Sequence, residues 1–156
     1  MARAKPHVVP LARLMAIAQR SLIDGLHAEL AARRIDDVRP SYGYVMLAAR
    51  KKPTSVTAIA TLMGTTKQAA SKLVDAMVLA DLLERRAHAS DARKHELALS
   101  ARGHRVLATV EGIYQDLEAR WVQILGRDRV EAMRHDLVTV LEATHDGTLP
   151  LVRPVP

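Results

Sequence analysis

The sequence predicts a mainly α fold with one small β-hairpin (α+β), and three observations carry that prediction. Apolar residues recur at helical spacing through most of the 156 residues. With no Phe and a single Trp, the core must rest on Leu, Val, Ile, Met and Ala, and Ala, Leu and Met are good helix formers. The helical pattern lapses between Leu82 and Leu99, where two short runs flank a polar, cationic loop.

Each element follows from local chemistry. Leu11, Leu14, Met15, Ala18, Leu22, Leu26 and Leu30 form the stripe of a first helix ending near Arg34. "DDVRPS" breaks it, and Ser41 is placed to cap a second helix through Arg50, which "KKPT" closes. Ser55 or Thr57 caps a short helix to Met63. Gly64 supplies a tight turn, and Thr66 caps a further helix to about Leu79. Leu82 to Ala87 and Lys94 to Leu99 read as strands; without an Asn-Gly turn, a longer, mobile tip is expected between them. Ser100 caps a long helix striped by Leu107, Val110, Tyr114, Leu117, Trp121 and Ile124, and Gly126 stops it. "DRVE" predicts a capping box, Asp128 with Glu131, opening a last helix striped by Val130, Met133, Leu137, Val140 and Leu141. The tail "DGTLPLVRPVP" is expected to fray.

Composition narrows the function. Lys and Arg number 23 against 17 Asp and Glu, a net charge of +6, which points to nucleic acid or an anionic surface. Without cysteine there is no disulfide, thiolate metal site or thiol switch. No secretory signal pattern and no uncharged run of membrane-spanning length is visible, so a cytoplasmic protein is expected. The seven His are dispersed, and there is no H-E-x-x-H, no Gly-rich phosphate loop and no Ser nucleophile elbow. An enzyme is therefore not expected, nor a cofactor or catalytic residue, and no metal ligand is assigned.

The segment 55–79 has the pattern of a helix-turn-helix. Gly64 allows a left-handed turn, Ala60 lets the helices approach, and Ile59, Met63, Ala70 and Leu73 stand where the motif needs apolar contacts. Thr65 departs, since a larger apolar residue is usual there. On the Thr66–Leu79 helix, Ala70, Leu73, Val74 and Met77 form the buried stripe. Thr66, Lys67, Gln68, Ser71, Lys72 and Asp75 lie away from it, toward the end that would enter a major groove. Gln68 can pair with adenine, Lys67 can read guanine or touch phosphate, and Ser71 and Lys72 can anchor the backbone. Asp75 is read as solvated or as orienting Lys72. The following hairpin is then a wing, fixed by Leu83, Leu97 and Leu99. Arg93 is the candidate for a minor groove, Asp91 its brace, and Arg85, Arg86 and Lys94 phosphate contacts.

These blocks, "VTAIATLMGTTKQAASKLVDAMVLADLLERR" and "SDARKHELALSARG", resemble the MarR family of winged helix-turn-helix regulators from about Ser41 to Leu141. The wing's Asp-x-Arg is Asp91-Ala92-Arg93, and the Leu-Thr/Ser-x-x-Gly helix start is Leu99-Ser100-Ala101-Arg102-Gly103. The resemblance implies residues 1–36 and 101–146 as dimerisation helices, 37–100 as a winged helix-turn-helix DNA-binding domain, and 147–156 as a flexible tail. It implies a homodimer that binds a palindromic operator on double-stranded DNA, a repressor that a small ligand releases. Ala87 and Ala89 replace the Pro and acidic residue often seen in the wing, and the lack of Cys excludes the oxidation-sensing branch. Family pockets where the winged domain meets the dimerisation helices make Tyr42, Tyr44, Arg50 and Trp121 candidate ligand residues, for a small aromatic or phenolic effector such as an aromatic acid. Tyr114, a further aromatic candidate, and Trp121 read rather as dimer-core residues on the heptad stripe. Two alternatives stand beside this reading: a winged-helix protein-interaction module, and a metal-responsive regulator using His104 or His135 with acidic neighbours.

Overall fold

The computed structural model describes residues 8–88, 91–152 and 154, with the side chains of 88 and 91–94 outside that description. The chain runs α1 (Leu11–Ala32), α2 (Pro40–Lys51), α3 (Val56–Met63), α4 (Lys67–Leu79), β1 (Leu83–His88), β2 (Asp91–Leu99), α5 (Ala101–Leu125) and α6 (Arg127–Thr144). The order is the one the sequence predicts.

Three helices start on hydroxyl caps. Ser55 accepts from the Ala58 N–H at 3.1 Å, Thr66 from that of Ala69 at 3.2 Å, and Ser100 from that of Gly103 at 2.9 Å. Each bond satisfies a first-turn donor that has no helical partner. Two expected caps do not form. Helix α2 begins at Pro40 with Arg39 as its N-cap, so Ser41 lies inside the helix. Proline at the first position removes one of the partnerless first-turn donors and arrives with helical φ, which favours a helix start at Pro40. Helix α6 begins directly after Gly126 without a side-chain cap, so Asp128 and Glu131 form no capping box. Asp128 sits instead in the first turn, where its charge faces the positive end of the helix.

The hairpin is longer than the apolar pattern indicates. The strands pair antiparallel from Leu83↔Leu99 to Ala87↔His95, then His88↔Asp91 beyond an irregularity at Ala87/His88. β2 begins at Asp91 rather than Lys94. Of the expected tip, His88 and Asp91 pair with each other, while residues 92–94 of β2 fall in the irregularity and have no register partner on β1. Thr54 bridges Leu97 from outside the hairpin: Thr54 N–H donates to Leu97 O at 2.9 Å and Leu97 N–H to Thr54 O at 2.7 Å.

Two apolar clusters hold the molecule. The larger joins α2, α3, α4, the hairpin and the start of α5 through Val45, Met46, Ile59, Val74, Met77, Leu82, Leu83, Leu97, Leu99 and Val106. The smaller packs Leu26 and Leu30 of α1 on Ile113 and Leu117 of α5. The α5 stripe is thus partly consumed inside the chain, and Ile113, off the expected stripe, is its fully buried member. Beyond that contact, Leu11, Leu14, Met15 and Ile17 of α1 are exposed, as are Ile124 of α5 and Leu137, Val140 and Leu141 of α6.

At one joint only a glycine fits. A Cβ on Gly103 would lie 2.1 Å from the Leu82 carbonyl oxygen, so the first turn of α5 presses directly on the backbone where α4 gives way to β1.

Candidate nucleic-acid interface

The turn between α3 and α4 rests on Gly64, at φ 60 and ψ 36. This left-handed conformation favours glycine, and it lets the Thr65 N–H return to the Ala60 carbonyl at 3.0 Å. Ile59 and Ala60 are buried beneath the turn. Thr65, where an apolar residue is usual, is exposed.

Helix α4 buries Ala70, Val74 and Met77, and Leu73 packs half-buried beside them. Thr66, Lys67, Gln68 and Lys72 are exposed and Ser71 is half-buried. The free face is short, polar and cationic toward the N-terminus, and the first turn holds no acidic residue to oppose the helix dipole. The Thr66 hydroxyl oxygen already accepts from the Ala69 N–H, so this residue also sets where the helix begins.

The wing stands beside this face on a buried foot, with Leu83, Leu97 and Leu99 all 2% exposed or less. Its first strand is tied to α4. Arg85 Nη2 donates to Asp75 Oδ1 at 2.6 Å, and Arg86 Nε to Glu84 Oε1 at 2.6 Å. Asp75 of α4 therefore orients Arg85 of β1, where the sequence reading has it solvated or orienting Lys72 on its own helix. The side chains of Asp91, Arg93 and Lys94, and so the expected brace between the first two, lie outside the described residues, although their backbone belongs to β2.

The four ligand candidates occupy different settings. Tyr42 is buried in the larger core at 3% exposure. Arg50 is paired with Glu111 of α5. Glu111 and Trp121 are ten positions apart on one helix, about 15 Å at 1.5 Å per residue, more than one small aromatic molecule spans. Tyr44 lies near Tyr114, whose phenol is pushed up from its ordinary pKa chiefly by burial and then by Tyr44. A depression of about 400 Å³ is lined by Leu47, Arg50, Lys51, Pro150, Leu151 and Val152, and of the four candidates it takes in Arg50 alone. Among the described residues no group of three His, Asp or Glu gathers as a metal site would require.

Two contacts near the interface carry no sequence signal. Arg102 pairs with Asp37, 65 positions away, and the Thr54–Leu97 bridge joins a loop residue to β2. Neither spacing belongs to any local motif.

Residues 40–94 match the sequence model of the MarR family. That stretch runs from α2 to the start of β2, so the helix-turn-helix and the first part of the wing are similar to that family. The MarR family is one of transcriptional regulators, and the six helices and two-stranded wing have its fold. A mutant MarR from E. coli is similar at a TM-score of 0.69 and 20% identity, over 86% of this chain and 98% of that one. An S. aureus MepR mutant bound to an oligodeoxyribonucleotide is similar at 0.60 and 18%, over 88% and 100%. The transcriptional repressor CouR, bound to a 23-mer DNA duplex, is similar at 0.63 and 25%, over 89% and 99%. No curated protein sequence matches the chain.

Proposed function

We propose that this chain is a MarR-family, sequence-specific double-stranded DNA-binding regulator, acting as a homodimer on a palindromic operator as a ligand-released repressor. One observation carries the reading: α4 offers a polar, cationic N-terminal face to solvent beside a wing whose foot is buried. In this reading Gln68 and Lys67 read base edges, while Thr66, Ser71 and Lys72 meet the backbone. Arg86 and Lys94 meet flanking phosphates, Arg85 does so on leaving Asp75, and Arg93, with Asp91 beside it, enters the minor groove. The DNA-bound CouR and MepR structures share this fold and support the same use of it.

The uncovered apolar residues of α1, α5 and α6 support self-association, with 1–36 and 101–146 as the dimerising parts and 37–100 as the DNA-binding part. A second copy would place two α4 helices on one face of a duplex, about one turn apart. For the effector, the half-buried Tyr44, Tyr114 and Trp121 favour a small aromatic or phenolic compound between the winged domain and the long helices, and a MepR structure of this fold holds ethidium. Arg50 would serve it only on leaving Glu111, and then in place of Trp121. Melting shifts with aromatic acids test that part.

The main test is fluorescence anisotropy with the DNA upstream of the protein's own gene. Affinity should fall by roughly 10³-fold or more between 50 and 200 mM salt, as counterions released from phosphates are returned. Binding that ignores salt would instead favour a protein-interaction module.

A further inference from the structure

The corner between α4 and β1 is held by α5. Residues 80–82 turn the chain there, with Asp81 at φ 53, left-handed for a non-glycine residue. Three successive carbonyls accept from the start of α5. Ala80 O takes an Nη1–H of Arg102, Asp81 O takes the Ser100 hydroxyl, and Leu82 O takes the Ser100 N–H at 3.2 Å. The Ser100 bonds are local to the corner. Arg102 reaches further: its Nη2 donates to Asp37 Oδ1 at 2.9 Å, in the connection between α1 and α2. One planar guanidinium thus grips the C-terminal end of α4 and the joint at which α1 meets the winged domain, and its rigid fork fixes the two acceptors relative to each other.

We infer that Arg102 is a positioning residue for DNA binding, setting through the Ala80 carbonyl and Asp37 where α4 stands relative to the α1–α2 connection. The inference rests on the DNA-binding function proposed above. The Arg102 side chain is 29% exposed and that of Asp37 45%, so the pair adds modestly to stability. Its geometric effect is larger, because α1 belongs to the dimerising part and α4 to the reading part. A small rotation at this joint changes the spacing of two recognition helices that must meet half-sites a fixed turn apart. The ion pair also holds the Asp37 carboxyl below its ordinary pKa, chiefly through the hydrogen bond from Arg102.

The test compares wild type, Arg102→Gln, Asp37→Ala and the double variant on the upstream duplex and on random-sequence duplex. Each single variant should bind the upstream duplex about tenfold more weakly. The double variant should also lose about tenfold rather than a hundredfold, because the two residues act as one unit. The slope of log affinity against log salt should not change, since a positioning residue releases no counterions. Arg102→Lys, which keeps the charge but not the fork, should recover part of the loss. Single variants that bind as wild type, or losses that add, would overturn the inference. So would a salt slope reduced by about 0.9 in Arg102→Gln with Asp37→Ala silent, which would make Arg102 a direct phosphate contact. Amide exchange in the free protein separates this from the parent reading. Arg102→Gln should raise exchange at Asp81 and Leu82 at least tenfold while Leu26 and Leu30 stay protected, and unchanged exchange there would also overturn it. If wild type binds neither duplex, the DNA-binding reading fails, and the exchange result alone decides whether Arg102 holds the corner.

Discussion

Gly64 and Gly103 are both required, for opposite reasons. Gly64 has a left-handed backbone and open space around it, so Gly64→Ala should cost about 1–2 kcal/mol from conformation alone, read by chemical denaturation. Gly103 has no unusual φ, but a Cβ would strike the Leu82 carbonyl, so Gly103→Ala should cost more and displace the corner that Arg102 grips. Asp37 makes a pH prediction. Its pKa is lowered on folding, so the native state gains stability above the unfolded aspartate value of about 3.9, and loses it as pH falls through the lower folded value. Melting of Asp37→Asn should be less sensitive to acid over that window, and an unchanged acid limb would contradict the pairing. At this scale the hydroxyl caps at Thr66 and Ser100 were legible, and that at Ser55 as one of two choices with Thr57, because a cap acts on the backbone three residues ahead. Ser41 and Asp128 misled because Pro40 and Gly126 already begin those helices. The Arg85–Asp75 and Arg102–Asp37 pairs were not legible, since no local period links residues 10 and 65 positions apart.

Helix α4 and the wing act as a pair of elements, and Asp75 is the tie between them. Asp75→Ala should release Arg85 and remove a carboxylate beside the reading face. Affinity for random DNA should then rise, and the salt slope should steepen by up to about 0.9, corresponding to one more phosphate neutralised. An unchanged slope would mean that Arg85 already faces phosphate while paired. All eight elements were legible in the sequence, because each has its own period and punctuation. The wing's length was not. Its apolar anchors Leu83, Leu97 and Leu99 mark only the foot, and the outer ladder depends on main-chain pairing that polar side chains do not advertise.

In the whole molecule the apolar surface is divided. The C-terminal half of α1 is covered by α5 through Leu26, Leu30, Ile113 and Leu117, while Leu11, Leu14, Leu137 and Val140 are not covered. The heptad spacing of α5 could not reveal which of its members an intrachain partner would take. The proposed dimer predicts that Leu14→Glu with Val140→Glu halves the sedimenting mass and removes operator binding with the winged domain folded; a double variant that still sediments as a dimer would place the interface elsewhere. The central claim is that Gln68 and its neighbours on α4 read base edges from the major groove. Selection of bound duplexes from a random pool, with wild type and with Gln68→Ala, tests it most directly. Wild type should select a palindrome, and Gln68→Ala should lose preference at one base pair in each half-site, worth about 1–3 kcal/mol, with the remaining positions retained. A palindrome recovered unchanged by Gln68→Ala, Lys67→Ala and Ser71→Ala alike would contradict it.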